Sequence, residues 1–319
     1  MNNQSKKILI TGGFGNLGSW LTKYFSNLNY DVYVLSKNKH NILSEYNFTS
    51  ISCDITNIED CKTKLNNIQF EYVIHAASMN DMFVENYATL ALEINTKGTR
   101  NILETIDKSN IKNFIYLSTF HVYGVSEGFI TEESPTLSRH DYATTHLFAE
   151  YFVKQFHYTH KLPYTIIRLT NSYGCPIDKN TSKWYLILND LAKMAFEKHE
   201  IVLKGNGRVS RDFIWMGTVC EVLEKICALP TAPNDIFNLS GEQSFPMLEI
   251  ANYVKQAALA ALNIDLPITI NTEDETVASV LEVSSAKLKS LINYTTSPKF
   301  KEEAKAIFNL LEKNLNIST

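Results

Sequence analysis

An apolar run that ends on a cluster of glycines most narrows what this chain can fold into. Lys6-Lys7-Ile8-Leu9-Ile10-Thr11 is followed at once by Gly12-Gly13-Phe14-Gly15-Asn16-Leu17-Gly18. An unbroken apolar run of this length suits a strand buried on both faces, and glycines directly after it suit a tight turn. Over residues 19–28, Trp20, Leu21, Tyr24, Phe25 and Leu28 recur at helical spacing and share one face. Residues 31–35 read as the next strand, which completes a βαβ unit with its glycine turn at the first strand end. The alternation continues. Strands are predicted over 48–53, 71–77, 112–118 and 164–169, and helices over 57–65, 86–106 and 142–160. Strands separated by long crossovers imply a parallel, doubly wound sheet. After Gly174 the rhythm loosens: a helix is expected over 183–196, a strand over 200–203, and helices over 247–262 and 300–315. The expected fold class is therefore α/β, with a smaller C-terminal α/β lobe over the sheet edge.

Composition narrows the function classes. The chain has 319 residues, 45% hydrophobic and 20% charged, enough apolar material to exclude a disordered chain. A net charge of -4 supplies no global positive field for nucleic acid or an anionic membrane, so neither is expected as a partner. No apolar run approaches the ~18 residues of a membrane span. The opening residues are polar and carry no signal-peptide pattern. Cys53, Cys61, Cys175, Cys220 and Cys227 are odd in number and scattered, which fits free thiols in a reducing compartment better than a disulfide framework or a zinc site. A cytoplasmic protein without a metal is expected.

The glycine spacing has a physical use. Gly12-x-x-Gly15-x-x-Gly18 between a strand and a helix lets the backbone turn sharply, approach a pyrophosphate and pack closely. The helix N-terminus then offers N–H groups and a positive dipole end to phosphates. In a βαβ setting this points to a dinucleotide. An acid that would bind the adenosine ribose is expected ~20 residues further on, but Ser36 stands there, followed by Lys37, Asn38 and Lys39. A missing acid beside cations permits a 2′-phosphate, and a solvated lysine-rich loop explains the same residues, so NAD and NADP are not separated. Asp54, after the third strand, is placed either to accept from the adenine amino group or to cap the following helix.

At this point the sequence resembles the extended short-chain dehydrogenase/reductases that modify nucleotide sugars, an NAD-dependent epimerase/dehydratase family. The likeness rests on Thr11 to Gly18, His75-Ala76-Ala77, Asn95-Thr96-Lys97-Gly98-Thr99, Ser118-Thr119-Phe120-His121-Val122-Tyr123-Gly124, Tyr142-Ala143-Thr144-Thr145-His146, Arg168 to Gly174, Arg211-Asp212-Phe213-Ile214, Phe237 to Gly241 and the stretch around Ser285-Ala286-Lys287. The resemblance implies a Rossmann domain over 1–174 plus about 208–246, and a nucleotide-sugar lobe over 175–207 plus 247–319. It implies NAD as cofactor, NADP not being excluded. The implied cofactor contacts are Gly12, Phe14, Gly15, Asn16, Leu17, Ser36, Lys37, Asp54, Ile55, Ala76, Ala77, Asn95, Tyr142 and His146. The implied substrate contacts are Ser78, Thr119, Phe120, His121, Asn171, Lys204 and Arg211, with Arg211 clamping the diphosphate. The family also implies a homodimer through a four-helix bundle built from the helices that begin near residues 86 and 142.

By the same resemblance Tyr142 takes the sugar hydroxyl proton and Thr119 shares it. The family's lysine, four residues after the tyrosine, is His146 here. Histidine has an ordinary pKa near ~6.5. It is expected to give the phenol less cationic help, to donate a bond to the nicotinamide ribose, and to make activity sensitive to pH near neutrality. Three readings follow: a slow oxidoreductase, a site in which His146 itself carries a proton, or a chain that binds nucleotide without turnover. The Asp–Glu pair that serves dehydration in the family is replaced by Phe120 and His121, which argues against dehydration. His121 is placed either to shuttle a proton beside a C4 ketone, as in 3,5-epimerases, or to shape the sugar pocket. The expected activity is oxidation of the C4 hydroxyl of a GDP-heptose or GDP-hexose type of sugar in polysaccharide or capsule synthesis. A C4, C3 or C5 epimerase and a non-catalytic NAD(P)-binding regulator are the alternatives.

Overall fold

A computed structural model describes residues 5–38, 40–81 and 83–315. Its centre is a seven-stranded, wholly parallel sheet. The strands are β1 (Lys6–Thr11), β2 (Tyr30–Ser36), β3 (Thr49–Ser52), β4 (Tyr72–His75), β5 (Asn113–Thr119), β7 (Tyr164–Leu169) and β11 (Asp235–Leu239), numbered in chain order through the smaller strands β6 (Gly128–Ile130), β8 (Asn171–Tyr173), β9 (Ile201–Val202) and β10 (Ser210–Trp215). Their spatial order is β11-β7-β5-β4-β1-β2-β3. The chain runs outward from β1 through β2 to β3, then returns to the other side of β1 at β4. This reversal opens a crevice at the carboxyl ends of β1 and β4, where ligands bind in open α/β sheets. The doubly wound expectation holds, because strands buried on both faces are encoded as the continuous apolar runs seen in Ile8-Leu9-Ile10 and Val73-Ile74, all fully buried.

Helices cover both faces: α1 (Asn16–Ser26), α2 (Ile58–Leu65), the helix from Tyr87 to Thr105, and α5 (Asp141–His160). The helix from Tyr87 widens into a π-helical stretch over Leu92–Gly98, which sequence spacing alone does not register. Residues 216–227, without an element in the sequence reading, form a buried helix, α7 (Met216–Cys227). It starts directly at the end of β10, with no turn residue to announce it.

The lobe has its own core. Leu188, Leu191, Ile201, Phe213, Phe245, Ile250, Val254, Phe300, Ile307 and Phe308 form one buried cluster. The expected division at 247–319 is corrected at one point: Leu288, Ile292 and Tyr294 pack into the core beneath the central sheet. Strand β10 serves both bodies, with Phe213 in the lobe cluster and Ile214 in the sheet cluster. No helix among the described residues is long and apolar enough to cross a membrane.

Candidate active site

The crevice is floored by the glycine turn. Gly12 takes a left-handed φ of +66°, and a Cβ there would lie 2.7 Å from the Ala77 Cα. A Cβ on Gly18 would lie 2.0 Å from the Gly12 carbonyl oxygen. The turn is closed by Gly15 N–H donating to the Gly12 carbonyl at 2.8 Å, and Gly12 N–H donates to Leu35 at 2.8 Å. Helix α1 starts here with Gly15 as its cap residue and no acid in its first turn, so its positive end is uncompensated. Phe14, Gly15, Asn16 and Ser19 line a cavity of about 370 Å³ with His40, Ile42 and residues 176–178 and 180–183 of the lobe. Glycines that admit no side chain, a bare helix N-terminus and a cavity against both fit a dinucleotide's phosphates.

The rim of the adenosine end differs from expectation. Lys37 is salt-bridged to the Asp54 carboxylate at 2.8 Å. The other Asp54 oxygen accepts from the Thr56 N–H at 3.0 Å and its hydroxyl at 2.8 Å. Both Asp54 oxygens thus have protein partners. Its pKa is lowered by Lys37 and Thr56 against an opposing burial effect. The Ile55 side chain is part of the core and packs against Gly98. Ser36 ends β2 at the rim, and Lys39 lies outside the described residues.

Tyr142 is the second residue of α5. The helix is capped by His140, whose Nδ1 accepts from the Ala143 N–H at 3.3 Å. Burial raises the Tyr142 phenol above its ordinary pKa, with the Thr119 hydroxyl at the end of β5 opposing that rise. The phenol is therefore protonated at neutral pH. Three imidazoles surround it: His146 with ring centroids 4.5 Å away, His121 at 6.1 Å, and His140 stacked at 6.2 Å.

His146 corrects the expectation most. Its Nδ1 is 2.7 Å from the Tyr116 hydroxyl and its Nε2 is 3.0 Å from the Ser78 hydroxyl. Both nitrogens are held by protein, so the ring is not placed to donate to a ribose. Burial, with His75 and His121 adding to it, lowers its pKa to about 3. It carries no charge near neutrality and does not titrate there, so the expected pH sensitivity does not come from this residue. His75, behind it, is likewise lowered to about 3 by burial, and it is bonded to Thr11 at 2.7 Å and Thr99 at 2.9 Å. Tyr116 was not singled out from sequence; it reads as an ordinary apolar strand position, and its role emerges only across 30 residues of separation.

The remaining predicted contacts divide. The pKa of His121 is lowered to about 4 by burial, with His140 and Arg211 adding to it. Phe120 is corrected to a core position with Val122, Tyr123 and Ile130. Asn95 is buried in the π stretch; it accepts from Met79 N–H at 2.6 Å and donates to Met79 carbonyl and the Thr145 hydroxyl. It therefore staples the β4 loop to α5. Asn171 donates to the Asp212 carbonyl at 2.8 Å, bracing the strand that carries Arg211. Lys204 is exposed on a bend whose neighbour Asn206 is anchored to Asp274. Beneath Tyr142, Glu150 accepts two bonds from Arg168, at 3.0 and 2.7 Å, and one from Ser118 at 2.6 Å. Among the described residues no cluster of three or more His, Cys, Asp or Glu is placed to hold a metal.

With this geometry in place, the chain can be compared with known proteins. Residues 8–240 match the model of the NAD dependent epimerase/dehydratase family, and the chain belongs to that family of NAD(P)-dependent enzymes. Among curated relatives, a dTDP-D-glucose 4,6-dehydratase of Dictyostelium discoideum is 27% identical over 289 residues, covering 80% of this chain and 63% of that protein. Among solved structures, the UDP-glucuronic acid 4-epimerase of Bacillus cereus in complex with NAD superposes with a TM-score of 0.81 at 20% identity, over 96% of this chain and 99% of that one; it is also solved with UDP-glucuronic acid and NAD. RMD from Pseudomonas aeruginosa, complexed with NADPH, superposes at 0.79 with 21% identity over 98% of this chain and 100% of that one.

Proposed function

We propose that this chain is an NAD-dependent oxidoreductase that oxidises the C4 hydroxyl of a nucleotide-activated sugar, of the GDP-heptose or GDP-hexose type, to the 4-keto sugar. The observation that carries it is the Tyr142 phenol at the start of α5, with the His146 ring 4.5 Å away and Thr119 at the carboxyl end of β5 acting on its pKa. When bound, the nicotinamide would accept the hydride from C4, and Tyr142, in its deprotonated form, would take up the hydroxyl proton. Gly15, Asn16 and Leu17 would hold the diphosphate with backbone N–H groups, and the neutralised Lys37–Asp54 pair favours a ribose without a 2′-phosphate. Arg211 would hold the sugar's diphosphate. Tyr142 works without a neighbouring ammonium, so its phenolate is reached at higher pH and turnover is slow. Five free thiols go with a reducing, cytoplasmic location. Exposed Leu90 and Leu92 on one helix and Phe148 and Tyr151 on α5 support a homodimer through these two helices.

A second reading, epimerisation, is favoured by His121. A neutral imidazole 6.1 Å from the Tyr142 ring is placed to remove a proton from a carbon next to a C4 ketone. Incubation with NAD and a panel of UDP-, GDP- and dTDP-sugars in deuterated water tests both. Absorbance at the reduced-nicotinamide band with a keto sugar and no carbon-bound deuterium supports oxidation. Deuterium beside C4, or an inverted sugar without net reduction, supports epimerisation. No hydride transfer in the wild type or in His146→Lys, over the whole panel, overturns both.

A further inference from the structure

The cavity at the glycine turn has a second wall, and that wall carries a cation. Lys183 opens a short 3-10 turn, Lys183–Tyr185, ahead of helix α6 (Ile187–Lys198). Its ammonium donates to the Asn80 side-chain oxygen at 2.6 Å and to the Tyr185 hydroxyl at 3.3 Å, and it lies 5.3 Å from the centre of the Tyr185 ring. Tyr185 in turn donates to the Asn80 backbone carbonyl at 3.1 Å, and its ring packs edge-on against Phe83. The lobe's loop is thereby fastened to the loop after β4.

These partners are all uncharged. Among the described residues Lys183 makes no salt bridge, although most lysines with short contacts in this chain do. Asp81 lies near enough to favour its charge but outside ion-pair distance, and Asp178, on the same cavity wall, spends an oxygen on Asn180. Burial disfavours the charged ammonium, and a half-buried cation held only by neutral acceptors keeps an unmet need for an anion. Opposite it stands the uncompensated N-terminus of α1. Two positive groups from different bodies thus face one cavity of about 370 Å³.

We infer that Lys183, held by Asn80 and Tyr185, is a binding residue for the diphosphate of the cofactor, closing over it from the lobe. This rests on the reading that the glycine crevice takes NAD. The same anion chemistry is offered by the diphosphate of the nucleotide sugar, and the ligand panel separates the two.

The test is titration of the full-length protein with NAD, ADP-ribose, UDP and GDP, for wild type, Lys183→Met and Lys183→Arg, with thermal melts to verify folding. A lost bond from a charged donor predicts roughly ten- to hundredfold weaker NAD and ADP-ribose binding in Lys183→Met. Partial recovery in Lys183→Arg, a shallower salt dependence in Lys183→Met and unchanged UDP and GDP binding complete the expected result. NAD affinity unchanged in Lys183→Met overturns the inference, as does a loss confined to UDP and GDP, which assigns the cation to the sugar nucleotide. If the wild type binds neither NAD nor ADP-ribose, the cofactor reading itself fails and the inference falls with it. An Asn80→Ala variant, which leaves Lys183 in place but unfastened, provides an independent check: faster NAD dissociation is expected, and an unchanged off-rate counts against the fastening role.

Discussion

Two imidazoles kept neutral inside the protein make its stability depend on pH in a calculable way. His75 and His146 are both fully buried and held at about 3, against ~6.5 in an unfolded chain. Below pH 6.5 the unfolded state therefore binds protons that the folded state refuses, and stability falls as pH falls. Integrated from pH 7 to pH 5, each histidine contributes a loss of about 2 kcal/mol, or about 4 kcal/mol together. Asp212 acts in the opposite sense. Burial raises it to about 6, so its protonation over the same interval stabilises the folded state by roughly 1 kcal/mol. His121, held at about 4 by burial, contributes a further loss of ~2 kcal/mol over the same interval, so the net expected loss is about 5 kcal/mol, a large part of the ~5–15 kcal/mol typical of a folded domain. Urea unfolding followed by tryptophan fluorescence at pH 7, 6 and 5 measures it. His146→Gln keeps the polar contacts to Tyr116 and Ser78 but cannot titrate, so its loss over the interval should be smaller than the wild type's by about 2 kcal/mol. Equal slopes in the two proteins, or a wild-type stability that is flat from pH 7 to 5, would refute the claim that His146 is buried neutral.

Other outcomes follow from the same geometry. Tyr142→Phe should lower nucleotide-sugar oxidation roughly 10²–10⁴-fold in stopped or continuous assays of nicotinamide reduction, while leaving NAD affinity nearly unchanged. Gly18→Ala drives a methyl into the Gly12 carbonyl; about 1–3 kcal/mol of destabilisation and a loss of NAD binding by titration calorimetry are expected. Glu150→Ala strands the buried Arg168 guanidinium without its carboxylate and should cost about 3–5 kcal/mol, read as a lowered melting temperature.

Much of the sheet was legible because its signals are local. Lys6–Thr11, Tyr164–Leu169 and the helix Met247–Leu262 each carry their period within one short window. The glycine turn was legible for the same reason, since its three glycines are required by contacts within the turn and with Ala77. The π stretch at Leu92–Gly98 and helix α7 were not legible. The first differs from an α-helix by one residue in its hydrogen-bond step, and the second is joined to β10 without punctuation. The pairing of β6 with Leu281–Val283 spans too much chain for any local pattern. In the site, the sequence singles out Tyr142, Thr119 and His121 as candidates, but what disarms His146 is not readable from it. Tyr116 approaches it from the middle of β5 and Ser78 from the loop after β4, and the sequence motif reports only that a lysine is missing. The Lys37–Asp54 pair was not legible either, because Lys37 comes from a different strand loop.

Strand β10 gives the molecule a mechanical character. Because neighbouring residues Phe213 and Ile214 are buried in different cores, one short extended segment rivets the two bodies together, with Arg211 at its start. Swinging the halves apart would tear apolar side chains from both interiors at once. Traffic of large ligands through the cleft is therefore expected to rely on unfastening the narrow flap at 176–185, with the flanking bodies standing still.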